Sequence, residues 1–224
     1  MPYPIAHPAA VVPLRRLLGR HYVLSALVIG SVVPDFWYFA PALLERDETH
    51  SLAALFWFCL PLGAALYLLF HLVLKRPLLA LFPAIAARVP ESPLGNPAAV
   101  CSCIVIGALT HIAWDAITHV EGWRILQHAS TIGGVALLGW WLRRWWLAAP
   151  VRTVQSDLAP WQRTLIASSL LLVPATWALM LAFEASWTLR GLLRLGTVFA
   201  LRGLAVALLL YSAAWFLRAT RFRL

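Results

Sequence analysis

The sequence predicts an all-α fold, a polytopic bundle of membrane-spanning helices, and three observations carry that prediction. Of 224 residues 62% are hydrophobic and only 12% are charged, whereas a soluble domain is nearer half apolar. Apolar runs long enough to cross a bilayer recur at about 52–74, 98–119, 130–149, 164–184 and 196–217, and the run from Leu52 to Leu74 holds no charged residue. Basic residues stand singly or in pairs between those runs, as loop charges of a membrane protein do. Segments that span a bilayer must satisfy their backbone internally, so the runs are read as helices, five to six in number.

The N-terminus is the unusual part. Residues 8–18 suit a short helix after His7-Pro8, and a second apolar run covers 22–34. That run reaches only about 20 Å as a helix, short of a ~30 Å hydrocarbon core. A re-entrant hairpin that enters from the outer side, turns near Arg20 and returns would bring His7 and Asp35 to one level. An ordinary first span with a cytoplasmic tail is the alternative. The pair Arg15-Arg16 is reminiscent of an export signal, but no small-residue cleavage site precedes Pro34-Asp35, and cleavage is not expected.

The later elements follow in order. Trp140, Trp141, Trp145 and Trp146 flank Arg143 and Arg144 where the 130–149 helix should leave the bilayer. The polar gap near 150–163 reads as a loop, and 164–217 holds two additional spans. No linker, repeat or low-complexity tract interrupts the chain, so residues 1–224 read as a single transmembrane domain with 1–145 as the core of a metal site. Cys59, Cys101 and Cys103 all fall within spans, as small apolar residues do.

The formal charge of +9 invites a nucleic-acid reading that the scattered placement of the basic residues excludes. Membrane topology accounts for it better. Putting the turn before residue 22 in the cytoplasm places Arg15, Arg16, Arg20, Lys75, Arg76, Arg88, Arg143, Arg144, Arg152, Arg163, Arg218, Arg221 and Arg223 inside. Only Arg46, Arg124, Arg190 and Arg194 fall outside, with Glu45, Asp47, Glu48 and Glu121, and Arg202 lies within the last helix.

The chemistry concentrates at the end of the 98–119 run. His111, Asp115 and His119 are spaced four apart, on one helical stripe with each about 6 Å above the last. Imidazole and carboxylate in apolar surroundings are costly unless paired, and a divalent cation would pair with all three. Polar residues that satisfy one another between helices are the plainer alternative. The predicted topology brings further donors to the same membrane face. Asp35 closes the returning N-terminal segment, His50 opens the next span, His128 opens the fourth, and His7 joins them through the hairpin.

The candidate metal ligands are therefore His7, Asp35, His50, His111, Asp115, His119 and His128. Plainer roles exist for several: His7 as a loop residue, Asp35 as a helix stop, His50 as the solvated neighbour of a helix start. His71, beside Lys75 and Arg76, and His21, near the turn, read as interfacial. Imidazole with carboxylate and no thiolate suits zinc, or manganese or iron. More than four donors imply two ions, or one ion with a generous outer shell. Such a centre activates water near neutral pH and clamps the oxygens of a phosphoester. No Ser-His-Asp order, phosphate-cradling glycine loop or dinucleotide fingerprint competes with it.

Several motifs carry a family resemblance. The opening Met1-Pro2-Tyr3-Pro4-Ile5-Ala6-His7-Pro8-Ala9-Ala10 is one, and Ser25-Ala26-Leu27-Val28-Ile29-Gly30-Ser31 with Pro34-Asp35 is another. His50-Ser51 and Gly107-Ala108-Leu109-Thr110-His111 with Trp114-Asp115 and Thr118-His119 complete the set. Together they resemble the bacterial membrane family DUF4184 over about residues 1–145; the last two helices carry no such motif. That family resembles the predicted membrane-bound metal-dependent hydrolases typified by DUF457, and is more distantly similar to zinc-dependent phospholipase C and the S1/P1 nucleases.

The distant similarity implies one ion held by Asp35, His50, His111 and Asp115, a second by His119 and His128, and Asp115 bridging toward His7. It assigns Asp35 a further catalytic role, as general base on the attacking water. Two departures speak against a third ion. The N-terminal amine and Trp ligands of those secreted enzymes are missing, and Ile132 stands where their final Glu is due.

The expectation is a membrane-embedded metal-dependent hydrolase of the bacterial cytoplasmic membrane. One or two divalent ions, zinc before manganese or iron, would face the extracytoplasmic side. Its partners would be the lipid bilayer and a phosphoester, of a lipid in the boldest form. A cation-binding transporter is the first alternative, yet Leu109, Ala108 and Ile106 beneath His111 offer no polar route inward. The other is a structural membrane protein whose polar cluster fixes helix register and binds no metal.

Overall fold

The computed structural model describes residues 4–40, 43–90, 94–118, 124–185 and 188–221. Every element among them is helical. The short helices are α1 (Pro8–Val11), α2 (Arg15–Leu18), α3 (Leu24–Gly30) and α4 (Arg46–Thr49). The long ones are α5 (Leu55–Leu81), α6 (Pro97–Thr118), α7 (Arg124–Ala148), α8 (Pro160–Ala185) and α9 (Leu189–Arg221).

Four of these are long and apolar enough to cross a membrane: α5, α6, α8 and residues Leu195–Arg218 of α9. They leave large apolar side chains exposed, among them Phe56, Trp57, Leu72, Leu171, Leu172, Met180 and Leu210, which suits lipid contact. The protein is an all-α membrane protein. The 25 residues of α7 are long enough to span. Its apolar stretch is confined between Gln127, His128, Ser130 and Thr131 at one end and Arg143 and Arg144 at the other.

By packing, the chain divides into two compact units, Met1–Leu68 with Glu91–Ala149 and Leu69–Pro90 with Pro150–Leu224. No linker marks this division, and the boundary at Leu68 falls within α5. Two stretches of α5, Leu55–Cys59 and Leu69–Leu74, widen into π turns. Each precedes a proline, Pro61 or Pro77, whose ring crowds the carbonyl four residues back and which has no N–H to bond it.

The first unit opens with the N-terminal hairpin. Pro4–Ala6, α1 and α2 run to Gly19, whose φ of 50° turns the chain, and α3 returns alongside. Val11 of the outgoing arm and Ala26 and Leu27 of the returning arm share one core with Tyr67 of α5 and Val100, Cys103 and Ile104 of α6. The contact between α3 and α6 is glycine-dependent. A Cβ on Gly30 would run into the Ile104 carbonyl, and one on Gly107 would run into the Leu27 carbonyl and stand 2.9 Å from the Ser31 amide nitrogen. Backbone therefore rests on backbone, and α3 ends with Ser31 against the middle of α6.

α6 starts at Pro97, with the Asn96 side chain accepting the amides of Ala98 and Ala99 at 3.0 and 3.3 Å, an N-cap followed by proline at the first helical position. α7 packs on the hairpin through Gly134, where a Cβ would lie 3.0 Å from the Ala6 methyl.

In the second unit α8 and α9 form an antiparallel pair, with Gly203 facing the buried Pro174 and Gly196 facing Ala182. The Tyr211 hydroxyl donates to the Pro77 carbonyl at 3.0 Å, and the Ser156 hydroxyl to Ala80 at 2.7 Å.

The α3–α6 contact yields a test by thermal unfolding in detergent. Gly107→Ala should destabilise the protein by about 1–3 kcal/mol because backbone atoms must shift. Gly139→Ala, where a Cβ meets nothing within 4 Å, should be neutral or stabilise by up to ~1 kcal/mol through helix propensity.

Candidate metal centre

The fold brings five of the seven predicted ligands together: His7, Asp35, His50, His111 and Asp115. His7 precedes α1 and is 4% exposed, Asp35 lies in the helical turns Val33–Phe39 and is 7% exposed, and His111 and Asp115 in α6 are 0% and 3% exposed. The His50 imidazole follows α4 and is 7% exposed. Their donor atoms form two overlapping triplets, His7–Asp35–His111 and His50–His111–Asp115, with the atoms of each within 4.8 Å of one another. His119 and Glu121 lie outside the described residues. His128 is exposed on α7 and belongs to neither triplet.

Local structure orients each donor. Glu45 and Glu48 form a reciprocal capping box that starts α4, with the Glu45 amide donating to Glu48 Oε2 at 3.1 Å. The carbonyl of Arg46, the first residue of α4, lies 3.0 Å from Nδ1 of His50, which follows the helix. The Ser31 carbonyl, delivered by the glycine contact of α3 and α6, lies 2.7 Å from His111 Nδ1. The Thr49 hydroxyl, 3.1 Å from His50 Nδ1, donates to the Arg46 carbonyl. A carbonyl only accepts, so with both rings neutral both Nδ1 atoms carry the proton and both Nε2 atoms present a lone pair.

Those two Nε2 atoms face each other at 3.3 Å. Two lone pairs at that distance repel, and a cation between them removes the conflict. Asp35 Oδ1 stands 3.7 Å from both Nε2 atoms, and Asp115 Oδ2 stands 3.6 Å from His50 and 3.9 Å from His111. Donors on one tetrahedral ion at ~2.1 Å sit about 3.4 Å apart, so the spacing suits a zinc-sized ion after small adjustments. Asp35 Oδ1 is buried and receives no hydrogen bond, a costly condition for a carboxylate that lacks a cation. His7 stacks on His111 with ring centroids 3.8 Å apart, and its Nε2 is 3.8 Å from Asp115 Oδ1.

Arg46 is the member that sequence reasoning missed. Its Nη2 donates to Asp115 Oδ2 at 2.7 Å. The signal was its place four residues before His50, which shares a helical face with it. Ser31 left no comparable signal, because it acts through its carbonyl.

Burial and the neighbouring Asp115 carboxylate push the Asp35 carboxyl up to about 7. Burial, Arg46 and His111 push His50 down to about 4, so it stays neutral near physiological pH. A metal needs the Asp35 carboxylate, so a proton competes for it below about pH 7. Affinity should therefore fall by up to about tenfold per unit as pH drops below 7 and level off above. Competition against a chromophoric chelator at about pH 6 and about pH 8 measures this, and a flat profile would remove Asp35 from the ligand set.

A family model described as a domain of unknown function (DUF4184) matches residues 1–126. No curated protein and no solved structure matches the chain. The matched segment contains every residue of the cluster and ends before His128. With more than half of its length matched, the chain belongs to the DUF4184 family.

Proposed function

We propose that this protein is a membrane-embedded hydrolase that uses one or two divalent metal ions to cleave a phosphoester. The observation that carries the reading is the facing pair of Nε2 lone pairs at 3.3 Å, each fixed by a backbone carbonyl and flanked by Asp35 and Asp115. Zinc is the ion best suited to this imidazole and carboxylate set, with manganese and iron next.

A bound divalent ion lowers the pKa of water and offsets charge on phosphoryl oxygens. The chain's own groups supply the rest. The Asp35 carboxyl, raised to about 7, would take the proton of the attacking water and return it to the departing alcohol oxygen. His50 and His111 are held in one tautomer by the Arg46 and Ser31 carbonyls, so little reorganisation is needed at the moment of reaction.

One feature favours this over a transport path. Inward of the site lies a buried apolar layer of Val33, Ala54, Leu55, Phe58, Cys59 and Ala108. A through-route would need polar groups there. The distribution of Lys and Arg supports a site on the extracytoplasmic face of the bacterial cytoplasmic membrane. Its position beside spanning helices favours a lipid phosphoester.

The decisive measurement is element-resolved metal content of protein purified without a His tag or chelator. About one or two zinc, manganese or iron ions per chain are expected, and His111→Ala should lose them. Asp115→Asn should remain folded and lose turnover of phosphoester substrates. No metal in the parent even after it is added back would leave the cluster a polar helix contact that fixes register.

A further inference from the structure

We propose that Arg46 is the anion-binding residue of this centre, taking the phosphate group of a phosphoester once a divalent ion has claimed the Asp115 carboxylate. The inference rests on the metal-centre reading above. The Arg46 side chain is 30% exposed and Asp115 only 3%, so the guanidinium forms the boundary between the buried donors and the outside. The oxygen it holds, Asp115 Oδ2, is also the one that faces the Nε2 atoms of His50 and His111 at 3.6 and 3.9 Å. A cation in that triplet and the guanidinium therefore compete for one oxygen.

The competition has a direction. Two positive charges on one carboxylate oxygen repel each other, and in a buried setting that repulsion is weakly screened. The ion is enclosed by donors, whereas Arg46 has an open side toward which to move. Its backbone stays in place, because the Arg46 carbonyl accepts from both the Thr49 hydroxyl and His50 Nδ1 at 3.0 Å. Only the side chain swings. Asp47 Oδ1, 3.8 Å from Arg46 Nη1 and on a side chain 96% exposed, is a weak rival for it because water screens exposed pairs.

A guanidinium displaced from Asp115 would remain near the ion at the mouth of the site, and the charge of a divalent ion plus Arg46 would then exceed that of the Asp35 and Asp115 carboxylates. An oxyanion that contacts both the ion and the guanidinium relieves that charge. The planar fork of arginine matches two oxygens of a phosphate at once. In the metal-free protein the same residue neutralises Asp115 and keeps the donors gathered.

The test uses the zinc-loaded full chain in detergent, titrated calorimetrically with inorganic phosphate and, separately, with mixed micelles of a short-chain phosphatidate. Arg46→Gln should hold zinc at least as tightly as the parent and bind phosphate about tenfold more weakly or worse, with Arg46→Lys recovering part of the loss. Binding of phosphatidate micelles alone makes a lipid headgroup the source, and binding of inorganic phosphate makes the phosphate group itself sufficient; both support the proposal.

Unchanged phosphate binding in Arg46→Gln overturns it, as does loss of zinc in that variant, which would make Arg46 a brace for Asp115. Zinc-loaded parent protein that binds neither probe also overturns it. A parent that binds no zinc, manganese or iron defeats the metal-centre reading itself, and this one with it.

Discussion

The close approach of α3 to α6 determines where the buried imidazole of His111 can sit. Gly30 and Gly107 let the two backbones touch, and that contact delivers the Ser31 carbonyl to His111 Nδ1 at 2.7 Å. A Cβ at either glycine would meet the backbone of the facing helix and force the two apart. The consequences pass outward from there. With Nδ1 committed, Nε2 turns toward His50, Asp35 and Asp115, and the hairpin that carries α3 also carries His7 onto the His111 ring.

Gathering two carboxylates and three imidazoles away from water is expensive, and the protein meets that cost in two ways. Arg46 neutralises Asp115 directly. Backbone carbonyls then satisfy the Nδ1 side of His50 and His111. Among the described residues, buried polar atoms without a hydrogen bond include Asp35 Oδ1, His7 Nε2 and Asp115 Oδ1, all within this cluster. Donors gathered in this way need little rearrangement to take up a cation, which is the basis of the proposed metal centre.

The membrane character was legible from local composition, and so was the convergence of the five gathered imidazoles and carboxylates. The i, i+4 spacing of His111 and Asp115 holds on any helix. Asp35 and His50 were located by span ends, and His7 by the shortness of the 22–34 run, which the hairpin at Gly19 explains. His128 shows the limit of that logic. Topology assigned it a depth, but the rotation of α7 about its own axis is set by Gly134 on Ala6, and that rotation leaves His128 exposed. Arg46 was counted among loop charges because a single arginine between acidic residues looks solvated.

The sequence by itself determined that the chain is helical and membrane-embedded, because apolar length and the need to bond every backbone group within a segment are local properties. It also determined which residue types were available for chemistry. Only the tertiary structure decided the partners: Arg46 on Asp115, the tautomers of two histidines, and the division of the chain into two units. Those outcomes depend on backbone carbonyls and on helix rotation. Neither has a residue-type signature, because every residue carries a carbonyl and rotation is set by contacts between distant segments.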